Sequence, residues 1–186
     1  YEIGFSLQNR FGSEEWCMYR GLQLIGFVDN HDVTRLASAL TNKSHLIPAY
    51  GLLFGMPGIP CVYYGSEWGI EGKKEHGDDA LRPAVETMEW NALTDFIATA
   101  ARAHRESKAL CYGDFKILHQ TNHQLVFERT CDGERVIVLI NASADEYVAH
   151  YDARCGCGTE LLTDTHYDFG GGSVKPGYSV QYVKCE

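Results

Sequence analysis

The apolar stretch from Leu22 to Val28 runs directly into Asp29-Asn30-His31-Asp32, four polar residues in a row, two of them acidic. A nearly continuous apolar run is what a strand buried on both faces of a parallel sheet requires. In closed barrels of such strands, the side chains just past the C-terminal strand ends face the active site. Asp32 and His31 are therefore the leading candidates for chemistry. Asn, His and Asp after a strand also suit a turn and a helix N-cap, so the segment taken alone supports both readings.

The sequel favours the barrel. Leu46 to Met56 has almost no polar face and predicts a buried helix, stopped by Met56-Pro57-Gly58. Ile59-Pro60-Cys61-Val62-Tyr63-Tyr64-Gly65 is short, β-branched and aromatic, which predicts a second buried strand, and it too ends in acid at Glu67. Strand, helix and strand make one βαβ unit whose two exits open on the same side.

Further along, Asn91 can cap a helix whose apolar face carries Leu93, Phe96, Ile97, Ala100, Ala101 and His104, with His104 read as a packing residue. Beyond Ala109 the texture changes. Gln124 to Thr130 and Glu134 to Asn141 are strand-like and joined across Cys131-Asp132-Gly133, a hairpin signal. Runs at Glu146 to Tyr151, Glu160 to Thr163 and Tyr178 to Lys184 have strand length, with Gly170-Gly171-Gly172 separating the last two. They predict a small antiparallel β-sandwich, with the boundary near residues 107 to 110. Tyr1 to Arg20 is less patterned and contains a helix end at Phe11-Gly12-Ser13-Glu14-Glu15.

Phe27-Val28-Asp29-Asn30-His31-Asp32 resembles the motif after the seventh barrel strand of the alpha-amylase family of glycoside hydrolases. Gly58-Ile59-Pro60-Cys61-Val62-Tyr63-Tyr64-Gly65 is similar to that family's eighth strand. Within the family the likeness is to the neopullulanase, cyclomaltodextrinase and maltogenic amylase group, where a loop after the eighth strand carries an Asp and, four residues on, an Arg; Asp78 and Arg82 have that spacing. The resemblance implies an α/β plus all-β chain. Residues 1–107 would be the C-terminal part of a catalytic TIM (β/α)8 barrel, strands seven and eight with their helices, and residues 108–186 the β-sandwich. A complete barrel needs roughly 250 residues. The family's nucleophile and general acid would then lie upstream of Tyr1, so the chain is expected to be the C-terminal piece of a larger enzyme and inactive alone.

Retaining cleavage of a glycosidic bond needs two carboxyl groups about 5 to 5.5 Å apart and passes through a sugar carrying positive charge. The resemblance makes the Asp32 carboxylate a third acid, which binds sugar hydroxyls, offsets the developing charge and raises the proton affinity of the neighbouring acid. By the same resemblance His31 binds substrate, while Asn30 holds the turn. For Asp78 and Arg82 two readings stay open: a sugar subsite, which the resemblance favours, and a structural ion pair one helical turn apart. Ser66 stands where the family usually has Asp before the acid, which weakens any carry-over to Glu67. The implied substrates are alpha-glucan oligosaccharides: maltooligosaccharides, cyclodextrins or pullulan. A non-catalytic carbohydrate-binding or structural module is the alternative.

The net charge of −9 and pI near 5.3 argue against nucleic acid as a partner. No apolar run approaches the roughly 20 residues of a membrane-spanning helix. Nothing near Tyr1 resembles a signal peptide. The 7 cysteines cannot all pair within one chain, and free thiols in a reducing cytoplasm are the expectation. Cys155-Gly156-Cys157 is too closely spaced for a zinc knuckle and has no His at a matching spacing, so no metal is expected there; calcium, common in the family, would bind mainly upstream. Parallel strands stripped of their barrel neighbours would leave open edges, which predicts self-association.

Overall fold

The structure, a computed structural model, describes residues 2–170 and 173–186. Gly171 and Gly172, expected to separate two strands, lie outside the described residues, as does Tyr1. In chain order the elements are α1 (Glu2–Phe11), β1 (Ile25–Gly26), α2 (Leu36–Ala39), α3 (Leu46–Gly55), β2 (Ile59–Pro60), α4 (Asp78–Leu81), α5 (Ala92–Glu106) and α6 (Lys108–Tyr112). Then come β3 (Asp114–Gln120), β4 (Gln124–Cys131), β5 (Glu134–Asn141), β6 (Tyr147–Ala149), β7 (Cys157–Glu160), β8 (Thr165–Asp168), β9 (Ser173–Lys175) and β10 (Ser179–Cys185). Short 3-10 turns at Ser66–Trp68 and Lys74–His76 break up the loop before α5.

β1 and β2 pair in parallel, Ile25 opposite Ile59, with α3 between them in sequence. Both strands are much shorter than the expected spans Leu22 to Val28 and Ile59 to Tyr64. The ladder continues by only one bond on each side, Ile59 N–H to Leu24 O and Cys61 N–H to Gly26 O, both 2.8 Å. Pro60 offers no N–H, and among the described residues no other strand lies beside the pair. For the same reason the strands are not buried here: Ile25 is 66% and Ile59 52% exposed, and Cys61 is exposed as well.

The C-terminal half is a six-stranded sheet in the order β3-β4-β5-β10-β7-β8, with β6 and β9 as a separate two-stranded ribbon. β4 and β5 form the expected hairpin, and Asp132 (φ 50°) and Gly133 (φ 81°) both take the positive φ that a tight two-residue turn of this twist demands. The run Glu160 to Thr163 is not a strand. Glu160 ends β7, and its carboxylate accepts the N–H groups of Leu162 (3.1 Å) and Thr163 (2.8 Å), folding those residues into the turn that leads to β8. The run Glu146 to Tyr151 shrinks to Tyr147–Ala149. β3 gave no alternation to read because a bulge between Ile117 and His119 breaks its register.

One face of the large sheet packs on α3, α5 and α6 through Tyr50, Leu53, Ile97, Leu110, Phe127, Val138 and Tyr182. The other face packs through Val126, Ile137, Leu139 and Val183 on Ala149, Ala153 and Phe169. α3 comes so close to the sheet that a Cβ on Gly51 would sit 2.3 Å from the Val180 side chain, and Tyr182 Oη donates to Gly51 O at 2.6 Å. The helix of the βαβ unit is thus seated on the antiparallel sheet. α5 starts as expected: Asn91 Oδ1 accepts from Leu93 and Thr94 N–H, and Thr94 reciprocates on the Asn91 N–H. His104 is buried in the core and its Nδ1 donates to Phe54 O at 2.8 Å.

A candidate carbohydrate-binding site at the strand exits

Because β1 and β2 are parallel, their C-terminal exits open at the same end, and a buried polar relay ties the two together. Asp29, 2% exposed, accepts from Leu36 N–H (2.7 Å) and from Ser66 Oγ (2.8 Å). Ser66 in turn accepts from Arg35 Nη1 at 3.0 Å. Arg35 is fully buried, donates through Nε and Nη2 to Leu81 O (3.1 and 2.7 Å) and through Nη1 to Tyr64 O (2.7 Å). Its guanidinium lies 4.2 Å from the Tyr63 ring centroid. One cation therefore fixes the end of β2, the turn after β1 and the loop through Leu81. A carboxylate at position 66 could accept from Arg35 but could not donate to Asp29; the serine does both.

On top of this base sit the four residues picked out in the sequence. Asn30 Oδ1 accepts the Asp32 N–H at 2.8 Å, a local turn that lifts His31 and Asp32 outward. His31 Nε2 lies 3.1 Å from Asp32 Oδ2. Arg82 reaches across from the far loop: its Nη2 is 3.3 Å from Asp32 Oδ1 and 3.5 Å from Asp78 Oδ2, and its Nε donates to His31 O at 3.4 Å. Lys74 Nζ holds the other Asp78 oxygen at 2.5 Å. Lys74 and then Arg82 keep the Asp78 carboxyl below the usual carboxylate range. All four side chains are exposed. Asp32, His31, Arg82 and Asp78 thus form one polar cluster, and the ion pair between Asp78 and Arg82 is present within it.

Glu67 does not join the cluster. Its Oε2 is buried without a protein partner among the described residues, and its backbone oxygen accepts from Thr94 Oγ1 at 3.0 Å, which anchors the turn to α5. Tyr64 donates to Pro83 O, so its hydroxyl serves the loop. The reading from sequence missed Arg35 and Lys74. Arg35 has no distinguishing spacing; the one hint was a lone cation three residues beyond the paired acids of an apolar strand.

Residues 12–112 match the profile of the alpha-amylase catalytic domain. A cyclomaltodextrinase of Bacillus sp is 28% identical over 153 residues, covering 75% of this chain and 27% of that protein. The chain therefore spans about a quarter of the length of that relative. Among solved structures, a cyclomaltodextrin glucanotransferase with a three-domain ABC distribution superposes with a TM-score of 0.78 at 22% identity, over 98% of this chain and 43% of that one. The alpha-amylase of Geobacillus thermoleovorans, complexed with acarbose, gives 0.77 at 23% identity over 88% and 39%. Those neighbours share the fold: a parallel strand pair with its helices, followed by an antiparallel sheet. With the catalytic-domain profile covering more than half of its residues, the chain belongs to the alpha-amylase family of glycoside hydrolases.

Proposed function

We propose that this chain is the C-terminal portion of a retaining alpha-glucan hydrolase, with β1 and β2 as the seventh and eighth strands of its barrel. The observation that carries the reading is the convergence of Asp32, His31, Arg82 and Asp78 at the shared exit of two parallel strands. In the working enzyme the Asp32 carboxylate faces the sugar at the cleaved bond. It accepts hydrogen bonds from ring hydroxyls and stabilises the cationic transition state, in which charge has grown relative to the bound substrate. His31 orients a hydroxyl of the same sugar, and Arg82 with Asp78 binds the adjoining one, Arg82 donating and Asp78 accepting. The likeness to a cyclomaltodextrinase supports cyclodextrins as substrates, and the sequence resemblance adds maltooligosaccharides or pullulan.

The nucleophile and the proton donor come from outside these residues. Lys74 and Arg82 favour the charged form of Asp78, which suits it to accept hydrogen bonds from a sugar rather than to give up a proton. The isolated chain is accordingly expected to hydrolyse nothing. The full-length enzyme tests the assignment: Asp32→Asn should lower kcat on cyclodextrin by about 10²- to 10³-fold, the scale for removing a preorganised charge-stabilising group. Unchanged turnover would remove Asp32 from the reaction.

Self-association of the isolated chain belongs to the same proposal. Ile25, Phe27 and Ile59 are all more than half exposed on the β1–β2 pair, a surface suited to further barrel strands.

A further inference from the structure

At the β8 edge of the large sheet, strand register collects three side chains that no short sequence spacing would connect. Cys157 opens β7 and is the residue opposite Asp168 of β8; His166 stands two positions before Asp168 and so points to the same face. On the other flank Cys185 of β10 pairs with Gly158, and Glu186 N–H reaches Cys157 O at 3.3 Å, which puts Glu186 beside Cys157 on that face too. Tyr167 and Cys185, one residue off in each strand, turn instead to the second core. The result is Cys157 Sγ, a His166 ring nitrogen and a Glu186 carboxylate oxygen all within 4.8 Å of one another, with Cys157 Sγ 3.5 Å from Glu186 Oε2.

We propose that Cys157, His166 and Glu186 bind a zinc ion, water completing the tetrahedron. Ligands 2.0 to 2.3 Å from a tetrahedral zinc stand roughly 3.3 to 3.8 Å from each other. Cys157 and Glu186 already have that spacing at 3.5 Å, and the group of three, within 4.8 Å, would draw in on the ion by side-chain rotation. The donor set of sulfur, imidazole nitrogen and one carboxylate is that of zinc, whereas calcium and magnesium take oxygen alone. Binding converts the Cys157 thiol to a thiolate and releases its proton to solvent. Asp168, across the ladder, adds negative charge nearby while its own Oδ1 is taken by Gly170 N–H. Because β8 is the last strand of the sheet, the ion would clamp an open edge to β7 and to the end of β10. This site is independent of the sugar-cleaving assignment.

The test uses the full-length protein, stripped by chelation and titrated with zinc against a chromogenic chelator, beside Cys157→Ser, His166→Ala and the exposed-thiol control Cys61→Ser. One equivalent of zinc should bind to wild type and to Cys61→Ser, and at least ~10-fold more weakly to the other two. His166 is exposed, so its variant keeps the fold even if Cys157→Ser does not. Cobalt in place of zinc should give a thiolate-to-metal absorption band that Cys157→Ser lacks. Equal zinc binding by wild type and His166→Ala, or a cobalt complex without that band, would overturn the site.

Discussion

Arg35 does more for the candidate site than any residue that touches solvent in it. A buried guanidinium is tolerated only when its donors are satisfied and its charge is balanced. Here two backbone carbonyls and Ser66 supply the acceptors, and Asp29, one hydroxyl away, supplies the charge. Arg35→Met should therefore destabilise the protein by roughly 3–5 kcal/mol, since it leaves Asp29 as an uncompensated buried carboxylate. A urea midpoint within error of wild type would refute this. A second residue-scale prediction concerns acid. Burial pushes the Glu128 carboxyl up, but hydrogen bonds from Arg154 and Arg135 more than reverse this and hold it below its ordinary 4.5. A group depressed on folding stabilises above its unfolded value and loses that contribution as the pH falls through the folded one. Burial likewise pushes His104 below its ordinary 6.5 against the pull of the Phe54 carbonyl, and burial with His150 does the same to His119. Stability should decline in two stages, first below pH 6.5 as the unfolded histidines take up protons, then below pH 4.5 as Glu128 does. Urea midpoints at intervals across that range check it, and His104→Gln should shallow only the first stage.

Among the elements, α3 has the widest role, since it connects the two parallel strands in sequence and also lies against the antiparallel sheet. Gly51 lets it approach, and the carbonyl of Gly55 accepts from the buried Arg129 Nη1 at 2.8 Å. Gly51→Ala gains helix propensity but drives a methyl into Val180, and overpacking of this kind costs about 1–3 kcal/mol. The variant should melt below wild type, and adding Val180→Ala, which makes room for the methyl, should recover much of the loss. A Gly51→Ala protein as stable as wild type would mean that the helix can shift away from the sheet.

At the scale of the whole molecule, the larger of the two cores joins Tyr50, Leu53 and Ile97 to Phe127, Val138 and Tyr182, so residues from both sides of position 107 bury one another. The β1–β2 face stays uncovered, with Ile25, Phe27 and Ile59 all more than half exposed. Light scattering on the isolated chain should give a mass that rises with concentration, and replacing Phe27 and Ile59 by polar residues should bring it down to one chain. A concentration-independent monomer would count against the open-edge argument. The sequence by itself determined the periodic elements and the place of one polar run after a strand end: α3, α5 with its Asn91 cap, the β4–β5 hairpin, and the turn from Asn30 to Asp32. Each rests on short-range chemistry, such as an apolar run, a capping side chain or a turn needing positive φ, and so is written in adjacent residues. Tertiary structure alone decided the rest. Arg82 meets Asp32 fifty positions away in the chain, Arg35 is buried because three separated segments close over it, and Glu160 also accepts the N–H of Tyr182 from another strand. Such contacts depend on which elements pack together, and that is set by the shared core, not by any local pattern.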